Sequence, residues 1–413
     1  MKTLTLFGVM TLTIVATACS EDWPGFRGTN ATGVSTSEGV PTTWSDSENL
    51  KWKLDLPGKG YSSPIVIGDS VYVTCYSDDT DLSKLKRFLV RINRQTGKAT
   101  WSKEVAAAAP EKEIPRFAGR PGFASHTPVS DGERIYAMFG NSGLHAFDMN
   151  GELLWRKDLG KEENSMFGSA SSPILYQDKV IVMAAAESES IRSFDKKSGK
   201  QLWKTDAGSL NKSYSTPVIA KSDDGRAELL IPIVGEVWSV NPESGKLFWY
   251  SEARSDTATC PVIVAKNGIA YCLGGRGGGR TAIRLGGKGD VTKSHTVWST
   301  QGGSYVPSPV IKGDHLYWVK DDGVLTCVDM KTGKEANKSR LSGKFYASIT
   351  LIGDKLYALS RFSGTHVLEA TPELKKVAHN KLTDESDHSA SPAVSDGQLF
   401  IRSDKALYCI SAD

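Results

Sequence analysis

One phrase recurs eight times along the chain: a small polar residue, usually followed by proline, then an apolar run, a Gly/Asp/Asn turn and a second apolar run. The copies centre on Ser63-Pro64, Thr127-Pro128, Ser172-Pro173, Thr216-Pro217, Cys260-Pro261, Ser308-Pro309, Ala347-Ser348-Ile349-Thr350 and Ser391-Pro392, so that the seventh alone lacks the proline. Their spacing of about 45 residues is that of an array of supersecondary units, none of which can bury its apolar face alone. Proline is tolerated where a strand begins, because no essential ladder bond needs its N–H, and turns such as Gly68-Asp69 and Gly353-Asp354 favour tight hairpins. Each phrase therefore reads as two antiparallel strands.

A second phrase falls between successive copies: an apolar strand ending near Asp or Asn, a turn carrying Ser/Thr-Gly-Lys, and a strand with tryptophan. Thr96-Gly97-Lys98-Ala99-Thr100-Trp101, Asn150-Gly151-Glu152-Leu153-Leu154-Trp155, Ser198-Gly199-Lys200-Gln201-Leu202-Trp203 and Ser244-Gly245-Lys246-Leu247-Phe248-Trp249 carry it, and Trp298 continues the series. Four antiparallel strands per repeat without a helical period specify an all-β fold, an eight-bladed β-propeller of four-stranded antiparallel blades. The last repeat ends after its third strand at Leu407-Tyr408-Cys409-Ile410, while Asn49-Leu50-Lys51-Trp52 supplies an unmatched tryptophan strand at the other end. The N-terminal strand is expected to close the last blade and so cover the remaining open sheet edge. The tryptophans read as wedges between blades, each worth roughly 3–5 kcal/mol against alanine. Asn337 and Ala378 stand at the tryptophan position of repeats seven and eight in this reading, which makes those junctions the expected weak points.

Ahead of the ring, residues 1–18 have the basic start, apolar stretch and small-residue end of an export signal, too short to span a membrane. Ala16-Thr17-Ala18-Cys19 allows two outcomes: simple secretion, or lipidation with Cys19 as the first mature residue, against which Ala16 stands where Leu or Val is usual. Residues 19–48 form an extension containing Trp23-Pro24-Gly25-Phe26-Arg27-Gly28, expected to lie across the propeller, and residues 49–413 form the ring. With 50 Lys+Arg against 47 Asp+Glu, no global field favours nucleic acid. The cysteines show no metal-ligand spacing. Cys260 and Cys272 flank Lys266-Asn267-Gly268 and would allow a cross-strand disulfide, whereas Cys327 and Cys409 read as packing residues.

The Gly-Lys-x-x-Trp repeats, the Ser-Ser-Pro phrases and the opening Trp23-Pro24-Gly25-Phe26-Arg27-Gly28 resemble the bacterial quinoprotein-like propellers with PQQ-like repeats, in the branch named after BamB. That resemblance covers nearly the whole mature chain. It implies a non-catalytic scaffold, periplasmic or tethered to the outer membrane by lipid, that binds envelope proteins such as β-barrel assembly components, with no nucleic acid and no cofactor. The alternative is a redox protein that binds pyrroloquinoline quinone or another small molecule at the central channel mouth, as the other branch, the quinoprotein alcohol dehydrogenases, carries that quinone with calcium on the axis. Those enzymes typically hold an adjacent-cysteine pair that this sequence lacks, so no catalytic or metal residue carries over to a numbered position.

Because the first strand of each blade borders the central channel, residues just before the proline phrases should ring one mouth: Tyr61, His126, Tyr214, Tyr305, Tyr346 and His388. These could hold a ligand or simply fill the narrowing channel. The insertion Glu113-Ile114-Pro115-Arg116-Phe117-Ala118-Gly119-Arg120 mixes charge and aromatic groups in the manner of an interface hot spot, with Arg116, Phe117 and Arg120 the residues to test. Gly274 to Arg280 lacks the Gly-Lys-Ser/Thr of a phosphate loop, and no nucleophile elbow or zinc motif occurs.

Overall fold

The proline phrases do start strands, and tight turns follow them. The computed structural model describes residues 21–77, 81–106, 123–161, 167–255, 257–275 and 277–412. Among these the strands form eight separate sheets, each built on four antiparallel strands. Blade one is Ile65–Ile67, Ser70–Tyr76, Arg87–Asn93 and Ala99–Val105, counted outward from the channel. Blade eight is Ala393–Ser395, Gln398–Arg402 and Ala406–Ile410, completed by Leu50–Asp55 from the other end of the chain. Leu50 pairs with Ile410 and Asp55 with Ala406, so the two termini share one blade and the ring is closed by ladder hydrogen bonds. Blades four and seven each gain a fifth, parallel strand: Gly289–Asp290 on the outer edge of blade four, and Val34–Ser35 from the extension on the inner edge of blade seven.

The Gly-Lys-x-x-Trp phrase is an interlock between blades. The Trp52 Nε1–H donates to the Arg94 carbonyl of blade one at 2.8 Å, Trp155 to Lys196 at 3.1 Å, Trp203 to Pro242 at 3.0 Å and Trp298 to Met330 at 2.8 Å, each acceptor in the next blade's third-to-fourth-strand turn. The glycine of that turn lies flat on the indole. At Gly97, φ is +69° and a Cβ would stand 2.6 Å from Trp52 Cδ2, so both the backbone and the ring require glycine. Blade five carries an insertion instead of this turn, and Trp249 of blade four donates to Glu228 of its own blade at 2.8 Å. Glu228 is buried but fully satisfied, since it also accepts from Ser239, from Arg226 and from the Gly286 amide of blade five.

The two junctions without a ring tryptophan are not left open. Asn337 keeps the interblade bond through its Nδ2–H to the Pro372 carbonyl at 2.9 Å. Where Ala378 leaves a gap, Trp44 of the extension fills it: the indole is 4% exposed and stacks on Tyr357, ring centres 6.2 Å apart, as the ring tryptophans pack on Tyr72, Tyr136 and Tyr271. The expectation of a weak junction beside Ala378 is thereby corrected, because a residue more than three hundred positions away in sequence supplies the missing wedge.

The extension crosses the channel end that bears the first-to-second-strand turns. Trp23 pairs with Val66 of blade one, the Pro24 carbonyl accepts from Ser130 of blade two, the Arg27 guanidinium reaches the Pro309 carbonyl of blade six, and Gly33 accepts from Leu351 of blade seven. Arg27 is 1% exposed and bonds only to carbonyl groups, those of Ala31, Thr32 and Pro309. Cys260 and Cys272 are free thiols. The register places Val264 opposite Tyr271, which leaves Cys260 in the channel wall while Cys272 faces the blade core, too far along the hairpin to be joined.

Candidate functional site: the channel and its open mouth

The inner strands of the blades enclose a cavity of about 200 Å³ on the ring axis. Its wall follows the strand alternation. Residues one before the proline position face inward, namely Ser63, Ser172, Thr216, Cys260, Ser308, Ser348 and Ser391, as do residues three before it, including Tyr61, Ser125, Tyr214, Val306, Tyr346 and Ser389. Phe26 of the extension forms the floor and separates this cavity from a second one of about 170 Å³ beneath the extension.

That alternation sorts the residues expected at the mouth. Tyr61, Tyr214 and Tyr346 line the cavity. His126, two before its proline, points away into the blades: it is fully buried with Nε2 2.7 Å from Ser169 Oγ, and burial with Arg87 nearby holds its imidazole down to about 3. His388 and Tyr305, four before theirs, also leave the wall, their places taken by Ser389 and Val306. The His388 imidazole instead contacts the Ser386 carbonyl at 2.9 Å. Arg116, Phe117, Arg120 and Cys19 lie outside the described residues, although Phe123, just after the first three, packs on Tyr76 at the same mouth.

In six of the eight phrases the small polar residue has a structural task that its spacing alone did not reveal. Its oxygen accepts the main-chain N–H of the preceding blade: Ser63 N to Thr127 Oγ1 at 2.9 Å, Thr127 N to Ser172 Oγ at 3.0 Å, Ser172 N to Thr216 Oγ1 at 3.1 Å, Val262 N to Ser308 Oγ, Ser308 N to Ser348 Oγ and Ser348 N to Ser391 Oγ, each at 3.0 Å. Buried backbone donors at the narrowest part of the ring are satisfied in this way. In blade five the hydroxyl is replaced by the Cys260 thiol, pushed up to about 12 by burial and so held protonated.

Sequence reasoning missed the charged part of the mouth. Arg361 and Asp387 form a bidentate ion pair, with Arg361 Nε 3.1 Å from Asp387 Oδ1, and Ser389 Oγ donates to the same carboxylate at 2.6 Å. The guanidinium lies 4.4 Å from the Tyr346 ring centre and 5.0 Å from that of Phe362. Phe362 is 58% exposed, the most exposed large apolar side chain among the described residues. Burial, together with Asp387 and Asp404, drives the Tyr61 phenol well above the ordinary tyrosine range, so it stays a neutral donor. On the far side of Tyr61, buried Arg402 pins the Ser62 and Thr74 carbonyls at 2.8 Å each. Arg361 and Asp387 carried no signal because they sit outside the repeated phrases, on loops whose meeting depends on ring closure.

Among the described residues of the wall no thiolate or imidazole faces the cavity, and Asp387, the one carboxylate among them, is held by Arg361 and Ser389. Among the described residues no group of three or more His, Cys, Asp or Glu side chains could hold a metal ion.

The family model described as outer membrane protein assembly factor BamB matches residues 86–339. The chain belongs to that family. BamB of Shewanella oneidensis is 24% identical over 227 residues, a match spanning 50% of this chain and 55% of that protein, about half the length of the relative. Among solved structures, BamB from Moraxella catarrhalis superposes with a TM-score of 0.62 at 14% identity, covering 87% of this chain and 98% of that one. A europium-containing methanol dehydrogenase gives 0.62 at 11% identity over 92% of this chain and 89% of that one. The quinohemoprotein alcohol dehydrogenase ADHIIG from Pseudomonas putida HK5 gives 0.64 at 10% over 95% and 81%. At these identities the structural likeness shows the shared propeller, and the BamB family membership comes from sequence.

Proposed function

We propose that the chain is a non-catalytic, exported scaffold, lipid-anchored through Cys19 in the outer membrane, that binds an envelope protein at the open mouth of its channel. The observation that carries the reading is the Arg361, Tyr346 and Phe362 cluster beside the cavity: an arginine held rigid by Asp387 between two aromatic rings, one of them left exposed. Interface hot spots are built from such residues beside a desolvated pocket. Arg116, Phe117 and Arg120 are included in the proposed partner surface for their mixed arginine and aromatic composition. BamB family membership directs the partner choice toward β-barrel assembly components.

A photo-crosslinking amino acid at position 362 tests this in native envelopes. The expected result is one dominant protein adduct, absent when the probe sits at Val297 on the outer rim. Phe362→Ala should weaken the same partnership by at least about thirtyfold, the effect of losing a hot spot of about 2 kcal/mol. A co-purifying low-mass ligand with no protein adduct would instead assign the cavity to a small molecule.

A further inference from the structure

We propose that the ring is held against the membrane in one orientation, with its turn face toward the lipid and its open mouth turned away. The inference rests on the lipid-anchored reading of Cys19 and deepens it. The first described residues are fastened to the ring itself. The Glu21 N–H donates to Asp396 Oδ1 at 2.7 Å, and its carbonyl accepts from Ser395 Oγ at 2.6 Å. The Glu21 carboxylate accepts from Ser35 Oγ at 2.9 Å and from the Thr36 N–H at 3.2 Å. The next residue, Asp22, accepts from the Gly68 N–H at 2.8 Å, and Trp23 and Val66 exchange two main-chain bonds at 2.8 and 2.9 Å.

Gly68 and Asp396 are turn residues between the first and second strands of blades one and eight, so the clamp lies on the turn face. Only Ser20 separates Cys19 from Glu21, and two residues reach at most about 7 Å. A lipid on Cys19 would leave no slack for the ring to tumble. Exposed Lys98, Lys200, Lys246 and Lys334 recur on that same face at the Gly-Lys turns, placed to meet anionic headgroups, with acidic residues such as Asp148 and Asp195 interleaved. The short tether rather than net charge therefore sets the approach. Arg361 and Phe362, on the opposite face, stand a strand length farther out, about 20 Å, where a soluble or translocating protein can reach them.

The test uses the full-length protein, expressed with its own leader in a bacterial host and reconstituted into phosphatidylethanolamine–phosphatidylglycerol vesicles containing a shallow nitroxide-labelled lipid. In a Cys260→Ser background, a bimane label on Lys331→Cys reports the turn face and one on Glu385→Cys reports the mouth face; both positions are exposed. Quenching several-fold stronger at position 331 is expected, and a long Gly/Ser linker inserted between Ser20 and Glu21 should abolish the difference while leaving acylation intact. Equal quenching at both positions in the unmodified chain, or a difference that survives the linker, overturns the proposal. The mass of the amino-terminal peptide checks the premise separately: an unmodified Cys19 overturns the orientation and leaves the crosslinking experiment at Phe362 unaffected.

Discussion

Single side chains hold this ring at places the repeat does not mark. Trp44 acts as the wedge that blade seven lacks, and Trp44→Ala is expected to cost about 3–5 kcal/mol in chemical denaturation. Trp52→Ala should cost a similar amount, because its indole is buried against Gly97 and bonded to Arg94. His126 makes the pH dependence. Burial and Arg87 hold it down to about 3 in the folded chain, against 6.5 for an unperturbed histidine, so between those values the unfolded chain binds a proton that the folded chain does not. Stability is then complete above about pH 6.5 and declines as pH falls toward 3, with His145, lowered to about 4 by burial, acting in the same direction. Urea midpoints compared near neutrality and at about pH 5 should show this fall, and His126→Gln should make it shallower.

Between blades, the hydroxyl chain explains why Ser or Thr recurs before proline. Ser348→Ala would leave the buried Ser308 N–H without its acceptor and should destabilise by about 1–3 kcal/mol. Cys260→Ser offers a hydroxyl where blade five lacks one and is expected to raise stability by about 1 kcal/mol. Thermal melts of the two variants should move in opposite directions; a common direction would show that volume, not the acceptor, governs the position. Ring closure depends on more than strand pairing. Arg94 donates to Gln398 at 2.6 Å, to Asp396 at 3.0 Å and to the Ser395 carbonyl at 3.0 Å, so the joint between blades one and eight is tied by the residue whose main-chain carbonyl also accepts from Trp52.

For the molecule as a whole, the extension converts a tube into a cup. It closes one channel end with Phe26, fastens blades one, two, six, seven and eight, and lends Trp44 to the seventh. Removing residues 21–44 while keeping residues 1–20 is therefore expected to do more than shorten a tail. The truncated ring should melt earlier than the Trp44→Ala variant, and backbone amides of Leu351 and Gly353, which donate to Gly33 and Ser35, should lose protection in hydrogen exchange. Protection unchanged at these amides would show that the extension is peripheral to stability.

The amino-acid sequence by itself determined the architecture: a blade-length period, two alternating strand pairs per period and an unmatched tryptophan strand near the start admit one closed solution, since any other leaves a sheet edge exposed. It also placed Tyr61, Tyr214 and Tyr346 at the channel, because the two-residue alternation of a strand is a local property. The same alternation, read one residue out of phase, is what misplaced His126, Tyr305 and His388. Only the tertiary structure decided that Trp44 replaces a wedge, that Arg361 meets Asp387 and that Phe26 floors the cavity. Those contacts join segments far apart in the chain, and nothing in their local sequence changes until the closed ring brings them together.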